Sequence, residues 1–241
     1  MESSVSTPHC SFIVYFDKDS KPDLFISDLR SFFQKFPLHY ELVAVFEPQA
    51  HEKLLEFKAA LGVANEKEKI KLVENKSRLG RAASLYTGLS NAEAEYMLTL
   101  DASLATPFGD QFKILQNLMT TPEVDICSGE RVSKKQSPFH AAATPRHKLE
   151  HLFNPIFKEK MQNSLQDPLC ESLGIRKKVF QEIKEDLSEK SLKGWYLNLP
   201  LLKAAKKLNM KIIEVPVHDS GAATNFHLWR ERFYLLAKSI F

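Results

Sequence analysis

Five short apolar runs, each parted from the next by a stretch of helical spacing, constrain the fold of this chain more than any other feature. Residues 12–16, 41–46, 70–73, 96–100 and 124–127 are dense in Phe, Ile, Val, Leu and Tyr, and have the length of buried strands. Between the first two, residues 21–36 place Pro22 in a first turn and Phe25, Leu29, Phe32 and Phe36 at steps of four and three. Residues 51–61, 80–91 and 108–119 read as three further helices, the second opened by Gly80. Strict alternation of strand and helix predicts a largely parallel, doubly wound α/β sheet. With 241 residues, 44% of them hydrophobic, the chain can bury one sizeable core. No linker interrupts it, so one domain over residues 1–241 is expected.

The second half is more helical and less regular. Helices are expected over residues 146–161, 175–186 and 195–208, with a loop through Gln166, Asp167 and Pro168. A last strand over residues 210–215 is closed off by Pro216. At the end of the chain Phe226, Trp229, Phe233, Leu236 and Ile240 recur at steps of three and four, with Arg230, Arg232 and Lys238 elsewhere on the wheel. This predicts an amphipathic helix over residues 224–241, which either packs back on the domain or docks on a membrane surface or a partner.

A formal net charge of +3 does not argue for nucleic acid. The basic segments at Arg146, His147, Lys148, His151, Lys158 and Lys160, and at Arg176, Lys177 and Lys178, read as solvated helix faces. Cys10, Cys127 and Cys170 are odd in number and lack C-x-x-C spacing, which suits a reducing, cytoplasmic compartment. No apolar run has the length to cross a bilayer, and the polar start MESSVSTPH does not resemble a secretory leader. The expectation is a cytoplasmic protein, with the inner face of a membrane as the alternative location.

The chemistry concentrates in YMLTLDASL, residues 96–104. A buried strand that delivers a carboxylate at its C-terminal end is how an open α/β sheet presents a ligand group. A second acid two positions later would complete a D-x-D pair able to hold a divalent cation against a diphosphate. Asp101 is present, but Ser103 occupies the second place, and a hydroxyl is a poorer ligand for Mg²⁺ or Mn²⁺.

Four segments resemble glycosyltransferase family 2, the inverting enzymes of GT-A fold, and most of all their dolichol-phosphate (polyprenyl-phosphate) mannosyltransferase branch. RLGRAASLYTGL, residues 78–89, is similar to LG-x-[GA]-x-A-x-x-x-G. AEAEYMLTLDASLATP, residues 92–107, is similar to A-x-G-D-[YF]-[IV]-[LVI]-x-[LM]-D-A-D-L-x-x-P. VDICSGER, residues 124–131, resembles a strand ending in G-x-R. GWYLNLPLLKAAKKLNMKIIEVPV, residues 194–217, is similar to G-W-x-F-D-x-E-L-L-x-x-A-x-x-x-G-x-x-I-x-E-V-P-V.

The resemblance implies a GT-A domain that binds a nucleotide or nucleotide-sugar through Asp17, Glu47, Arg78, Gly80, Asp101 and Ser103. It implies Asp101 and Arg131 as catalytic, and Arg131, Lys134, Asp167 and Trp195 at the acceptor or its phosphate. Gly80 at a helix start either seats phosphate on backbone amides or makes a tight strand-to-helix turn. Arg78 and Arg81 either pair with a diphosphate or are surface charges, and Arg131 with Lys134 and Lys135 either neutralises a phosphoryl group or sits in a solvated loop.

Several positions depart from the pattern. V-D-D-G-S-x-D reads Val45-Phe46-Glu47-Pro48-Gln49-Ala50-His51, keeping an acid only at Glu47. In the opening P-x-Y-N-E, Tyr15 stands where proline is usual, and Asp17 or Asp19 replaces the base-contacting acid. D-x-x-C-G-[FL]-[KR] becomes Asp167-Pro168-Leu169-Cys170-Glu171-Ser172-Leu173, and the D-x-E after Trp195 becomes Asn198 and Pro200. Asp101 is then the single remaining metal ligand, and dependence on Mg²⁺ or Mn²⁺ is expected to be weak or absent. Two functions stay open. One is inverting sugar transfer from a nucleotide-sugar, with a lipid phosphate as acceptor. The other is an inactive pseudo-glycosyltransferase that serves as a nucleotide-binding, partner-docking or regulatory scaffold. A protein partner or a second copy of the chain belongs to either.

Overall fold

The computed structural model describes residues 8–36, 38–62, 67–103, 106–132 and 165–218. Its centre is a seven-stranded sheet in the order β3-β2-β1-β4-β6-β5-β7. The strands are β1 (Cys10–Phe16), β2 (Tyr40–Phe46), β3 (Glu68–Glu74), β4 (Tyr96–Leu100), β5 (Ile126–Val132), β6 (Leu173–Arg176) and β7 (Ile212–His218). The helices are α1 (Pro22–Phe33), α2 (His51–Leu61), α3 (Arg81–Asn91), α4 (Phe108–Thr120), α5 (Lys177–Ile183), α6 (Glu189–Leu192) and α7 (Asn198–Lys207). β1 to β4 run parallel, as their alternation with helices requires, and β5 pairs parallel with β7. The sequence alternation therefore yields the expected mostly parallel α/β sheet.

Period-two alternation splits the core into two layers. Phe12, Val14, Phe16, Leu42, Ala44 and Phe46 face α1, α2 and α4, where Phe25, Phe33, Phe57 and Phe108 fill the layer with aromatic rings. Ile13, Val43, Val45 and Met97 face the other way, onto α3, α5 and α7. On that side Gly88 brings α3 close to the sheet, since a Cβ there would lie 2.4 Å from Ile13 Cγ2. Burial pushes the thiols of Cys10, Cys127 and Cys170 up to about 12, so they act as small apolar residues rather than nucleophiles.

Four details of the sequence reading change. α1 stops at Phe33 instead of reaching Phe36, because Pro37 disfavours helix in the residue before it. The helix expected over residues 175–186 begins as strand β6, antiparallel to both β4 and β5, and only then turns into α5. Leu173 and Ile175 are both fully buried, and this placement between two strands outweighs local helical spacing. The helix expected from Trp195 starts at Asn198, and the short α6 precedes it. β7 continues through Pro216, which is tolerated because β7 is an edge strand with one unpaired side. The predicted helices over residues 146–161 and 224–241, and Lys134, lie outside the described residues. Among the described residues, no helix is long and apolar enough to cross a membrane.

Candidate functional site

Three neighbouring parallel strands end on an acid. β1 runs into Asp17, β2 into Glu47 and β4 into Asp101, and β1 lies between the other two. Phe16 is level with Phe46 and Val14 with Leu100, so Asp101 leaves the sheet one residue later, at the level of Tyr15. Strand order reverses here, since β2 and β3 extend to one side of β1 and β4 to the other. Open α/β sheets bind their ligands in the crevice at such a point.

The three acids have different surroundings. Asp101 is half-buried, and Ser103 holds both of its oxygens: the Ser103 N–H donates to Oδ1 at 3.0 Å and the hydroxyl to Oδ2 at 2.6 Å. The Asp101 N–H donates to Gln111 Oε1 at 3.1 Å. Desolvation, and then the carboxylate of Glu171, push the Asp101 carboxyl above the usual range, against the bonds from Ser103 and the charge of Arg81. Glu47 is fully buried, and its Oε1 accepts from Gly80 N at 2.9 Å, Leu79 N at 3.2 Å and Ser84 Oγ at 2.8 Å. Asp17 accepts from Asp19 N at 3.0 Å and Ser20 Oγ at 2.8 Å, and so shapes the turn between β1 and α1.

Glu47 meets Gly80 at the start of α3, where a phosphate seat and a tight strand-to-helix turn were both open. Gly80 has φ +85°, a conformation that L residues rarely adopt, and it makes the tight turn into α3. Its amide and that of Leu79 are already bonded to the Glu47 carboxylate, which fills the favourable anion position at the helix start. Arg78 is exposed. Arg81 instead turns inward from the first position of α3 and is 6% exposed.

Arg81 Nη2 lies 2.8 Å from Glu171 Oε2, and Glu171 is 9% exposed. Trp195 Nε1 donates to Glu171 Oε1 at 3.2 Å, and the Arg81 guanidinium sits 5.6 Å from the centre of the Trp195 ring. Arg81, Glu171 and Trp195 thus form one contact cluster drawn from α3, the loop before β6 and the loop before α7, and the Asp101 carboxyl just after β4 feels the charges of Arg81 and Glu171. Glu171 escaped the sequence reading, although a carboxylate where the resembled motif has glycine was a visible signal. Gln111 escaped it as well. This fully buried residue on α4 accepts from Asp101 N and, at 3.1 Å, from Ser172 Oγ, and donates to Thr106 O at 2.8 Å.

Arg131 and Asp167 come together as a pair. Arg131 Nε lies 2.6 Å from Asp167 Oδ2 and Nη2 2.8 Å from Oδ1, while the Arg131 backbone N–H donates to Oδ2 at 3.1 Å. A two-pronged contact of this kind fixes geometry. Glu214 on β7 accepts from the amides of Gln166 and Asp167 at 2.6 and 2.7 Å, and Asn198 Nδ2 donates to Cys170 O. The loop that carries Glu171 is therefore anchored along its length.

The donor set is poorer in carboxylates than a D-x-D pair. Asp101 and Ser103 offer one carboxylate and one hydroxyl already bonded to each other, and Glu171 is paired with Arg81. Among the described residues, no three His, Cys, Asp or Glu side chains gather in a metal-binding group. A divalent cation held here would have one protein carboxylate, with diphosphate oxygens and water to complete its shell.

This sheet and its crevice are those of the GT-A glycosyltransferases. Glucosyl-3-phosphoglycerate synthase from Mycobacterium tuberculosis, solved with Mn²⁺, UDP and phosphoglyceric acid, superposes with a TM-score of 0.65 at 10% identity, covering 96% of this chain and 77% of that one. Mannosyl-3-phosphoglycerate synthase from Rubrobacter xylanophilus superposes with a TM-score of 0.64 at 14% identity, covering 97% and 73%. At these identities the likeness is one of fold. Residues 49–184, more than half of the chain, match the model of glycosyl transferase family 2, and the chain belongs to that family. A dolichyl-phosphate beta-glucosyltransferase of Trichomonas vaginalis is 26% identical over 162 residues, 65% of this chain and 48% of the relative. The chain spans about half the length of that relative, whose sugar is glucose rather than mannose by its name.

Proposed function

We propose that the crevice at the ends of β1, β2 and β4 binds a nucleotide-sugar, and that the protein is an inverting glycosyltransferase that works without a divalent metal. The observation that carries this reading is the cluster of Asp101 with Arg81, Glu171 and Trp195 at the switch point of a GT-A sheet. Asp101 faces the ribose and diphosphate side of the donor, with Tyr15 and Asp17 nearer the base. The acceptor oxygen forms a bond to the anomeric carbon, the bond from that carbon to the diphosphate oxygen breaks, and the nucleoside diphosphate leaves. An acceptor that is itself a phosphate arrives as an anion, so no strong general base is needed. The chemistry must then stabilise the leaving diphosphate, and fixed guanidinium groups can do so. Arg81 is the group best placed, with Arg78 at the mouth. Lipid phosphate is the acceptor class that agrees with the curated relative's name, and phosphoglycerate with those of the solved structures.

Calorimetry with UDP and GDP tests this reading. Nucleotide is expected to bind, Mn²⁺ to change its affinity by no more than about twofold, and Asp101→Ala to weaken it roughly tenfold, the worth of one hydrogen bond to a charged group. Affinity that depends strongly on Mn²⁺ would overturn the metal-free site. Ser103→Asp is expected to create measurable Mn²⁺ binding.

A second reading, a binding or regulatory scaffold without turnover, has its own support. Three acids of the crevice are spent on internal contacts: Glu47 on the start of α3, Asp167 on Arg131 and Glu171 on Arg81. Donor hydrolysis and transfer to a polyprenyl phosphate separate the two, since turnover lost in Asp101→Ala belongs to an enzyme only.

A further inference from the structure

We propose that Arg81 is the seat for the diphosphate and that Glu171 is its resident counter-ion, a carboxylate of the protein that must be displaced before an anion can bind. This deepens the nucleotide-sugar reading and rests on it. Arg81 is the guanidinium that lies within this cluster, and it is the natural partner for phosphate oxygens because its planar fork matches them. In the structure that fork is closed. Glu171 lies 2.8 Å away, Trp195 covers the guanidinium face at 5.6 Å, and only 6% and 9% of the two charged residues reach solvent. Glu171 thus neutralises the Arg81 cation, and a further anion entering beside the pair meets no uncompensated positive charge from it.

The anchoring of the surrounding loop determines what can move. Ser172 on Gln111, Asp167 on Arg131 and Glu214, and Cys170 on Asn198 fix the backbone on both sides of Glu171. Only the Glu171 side chain has to turn. When it does, Arg81 is exposed with its position already set by the first turn of α3, and the Trp195 indole N–H loses its partner on Glu171. The internal carboxylate thereby competes with the ligand, and the crevice takes only anions that bring more charge and more oxygens than a single carboxylate, as pyrophosphate groups do.

Titration of the full chain with inorganic pyrophosphate and, separately, with UDP, both in EDTA, tests this. Glu171→Gln is expected to bind both anions about tenfold more tightly than the native protein, and Arg81→Gln to lose binding of both. Trp195→Phe keeps every charge but removes one of the contacts that hold Glu171, the indole hydrogen bond. It is expected to tighten pyrophosphate about twofold, and it serves if Glu171→Gln does not fold. UDP bound equally by the native protein, Glu171→Gln and Arg81→Gln would overturn the counter-ion and leave the nucleotide reading standing. Pyrophosphate tightened by Glu171→Gln with no UDP bound by any form would do the reverse, keeping Arg81 as an anion seat and removing the nucleotide. Trp195→Phe without effect on pyrophosphate, in a protein whose Glu171→Gln form is unfolded, also counts against the counter-ion.

Discussion

Glu47 shows how a residue that reads as a ligand group can be committed to the fold. Its carboxylate is fully buried and joins the end of β2 to the first turn of α3 through two amides and the Ser84 hydroxyl, which also accepts from Asn75 Nδ2 at 2.8 Å. Removing it takes the acceptor from the Leu79 and Gly80 amides, whereas the Ser84 hydroxyl keeps the Gly80 carbonyl at 2.8 Å, and each lost bond to a charged group costs about 1.5–3 kcal/mol. Glu47→Ala is expected to lower stability by roughly 2–4 kcal/mol in urea unfolding, and Glu47→Gln by less, because it keeps one acceptor oxygen. Equal losses in the two variants would show that the charge, and not the hydrogen bonds, holds the turn. Asp101 was legible as a strand-end acid from the residues alone, and Asp17 only through the family resemblance. Whether each faces a ligand or its own backbone was not legible, because that depends on partners 30 or more residues away in the case of Glu47.

At the scale of elements, the first four strands and helices α2, α3 and α4 follow their sequence patterns closely, since both faces of the sheet are apolar and the register is set by burial. β6 did not. It is four residues long and antiparallel, and its burial comes from β4 and β5 rather than from any period of its own. The close packing of α3 on β1 and β2 gives a direct test. A methyl group at Gly88 would meet Ile13 Cγ2 at 2.4 Å and Val45 Cγ2 at 3.0 Å. Alanine gains about 1 kcal/mol of helix propensity over glycine, yet Gly88→Ala is expected to lose about 1–3 kcal/mol net through overpacking. A raised melting temperature in that variant would contradict the close approach.

For the molecule as a whole, acid should loosen the β3 edge before the centre of the sheet. Glu93, just before β4, bonds Lys69 at 2.5 Å and Lys71 at 2.9 Å on β3, and these two lysines hold its carboxyl down to about 2. A depressed carboxyl contributes stability that is present above the ordinary pKa near 4.5 and is lost as pH falls towards 2. The melting temperature is therefore expected to fall between pH 5 and pH 2, and Glu93→Gln to flatten part of that decline, with salt weakening the difference. An acid limb unchanged by Glu93→Gln would place the acid-sensitive contacts elsewhere. The sequence by itself determined the alternating architecture, the family and the strand that delivers Asp101, because these depend on periodicity and on residues near one another in the chain. Only the tertiary structure decided that Glu47 holds the turn before α3, that Arg131 closes on Asp167, and that Glu171 reaches Arg81 under Trp195. Such pairings are set by which loops the sheet order brings together, and the short-range pattern of a chain carries no record of that order.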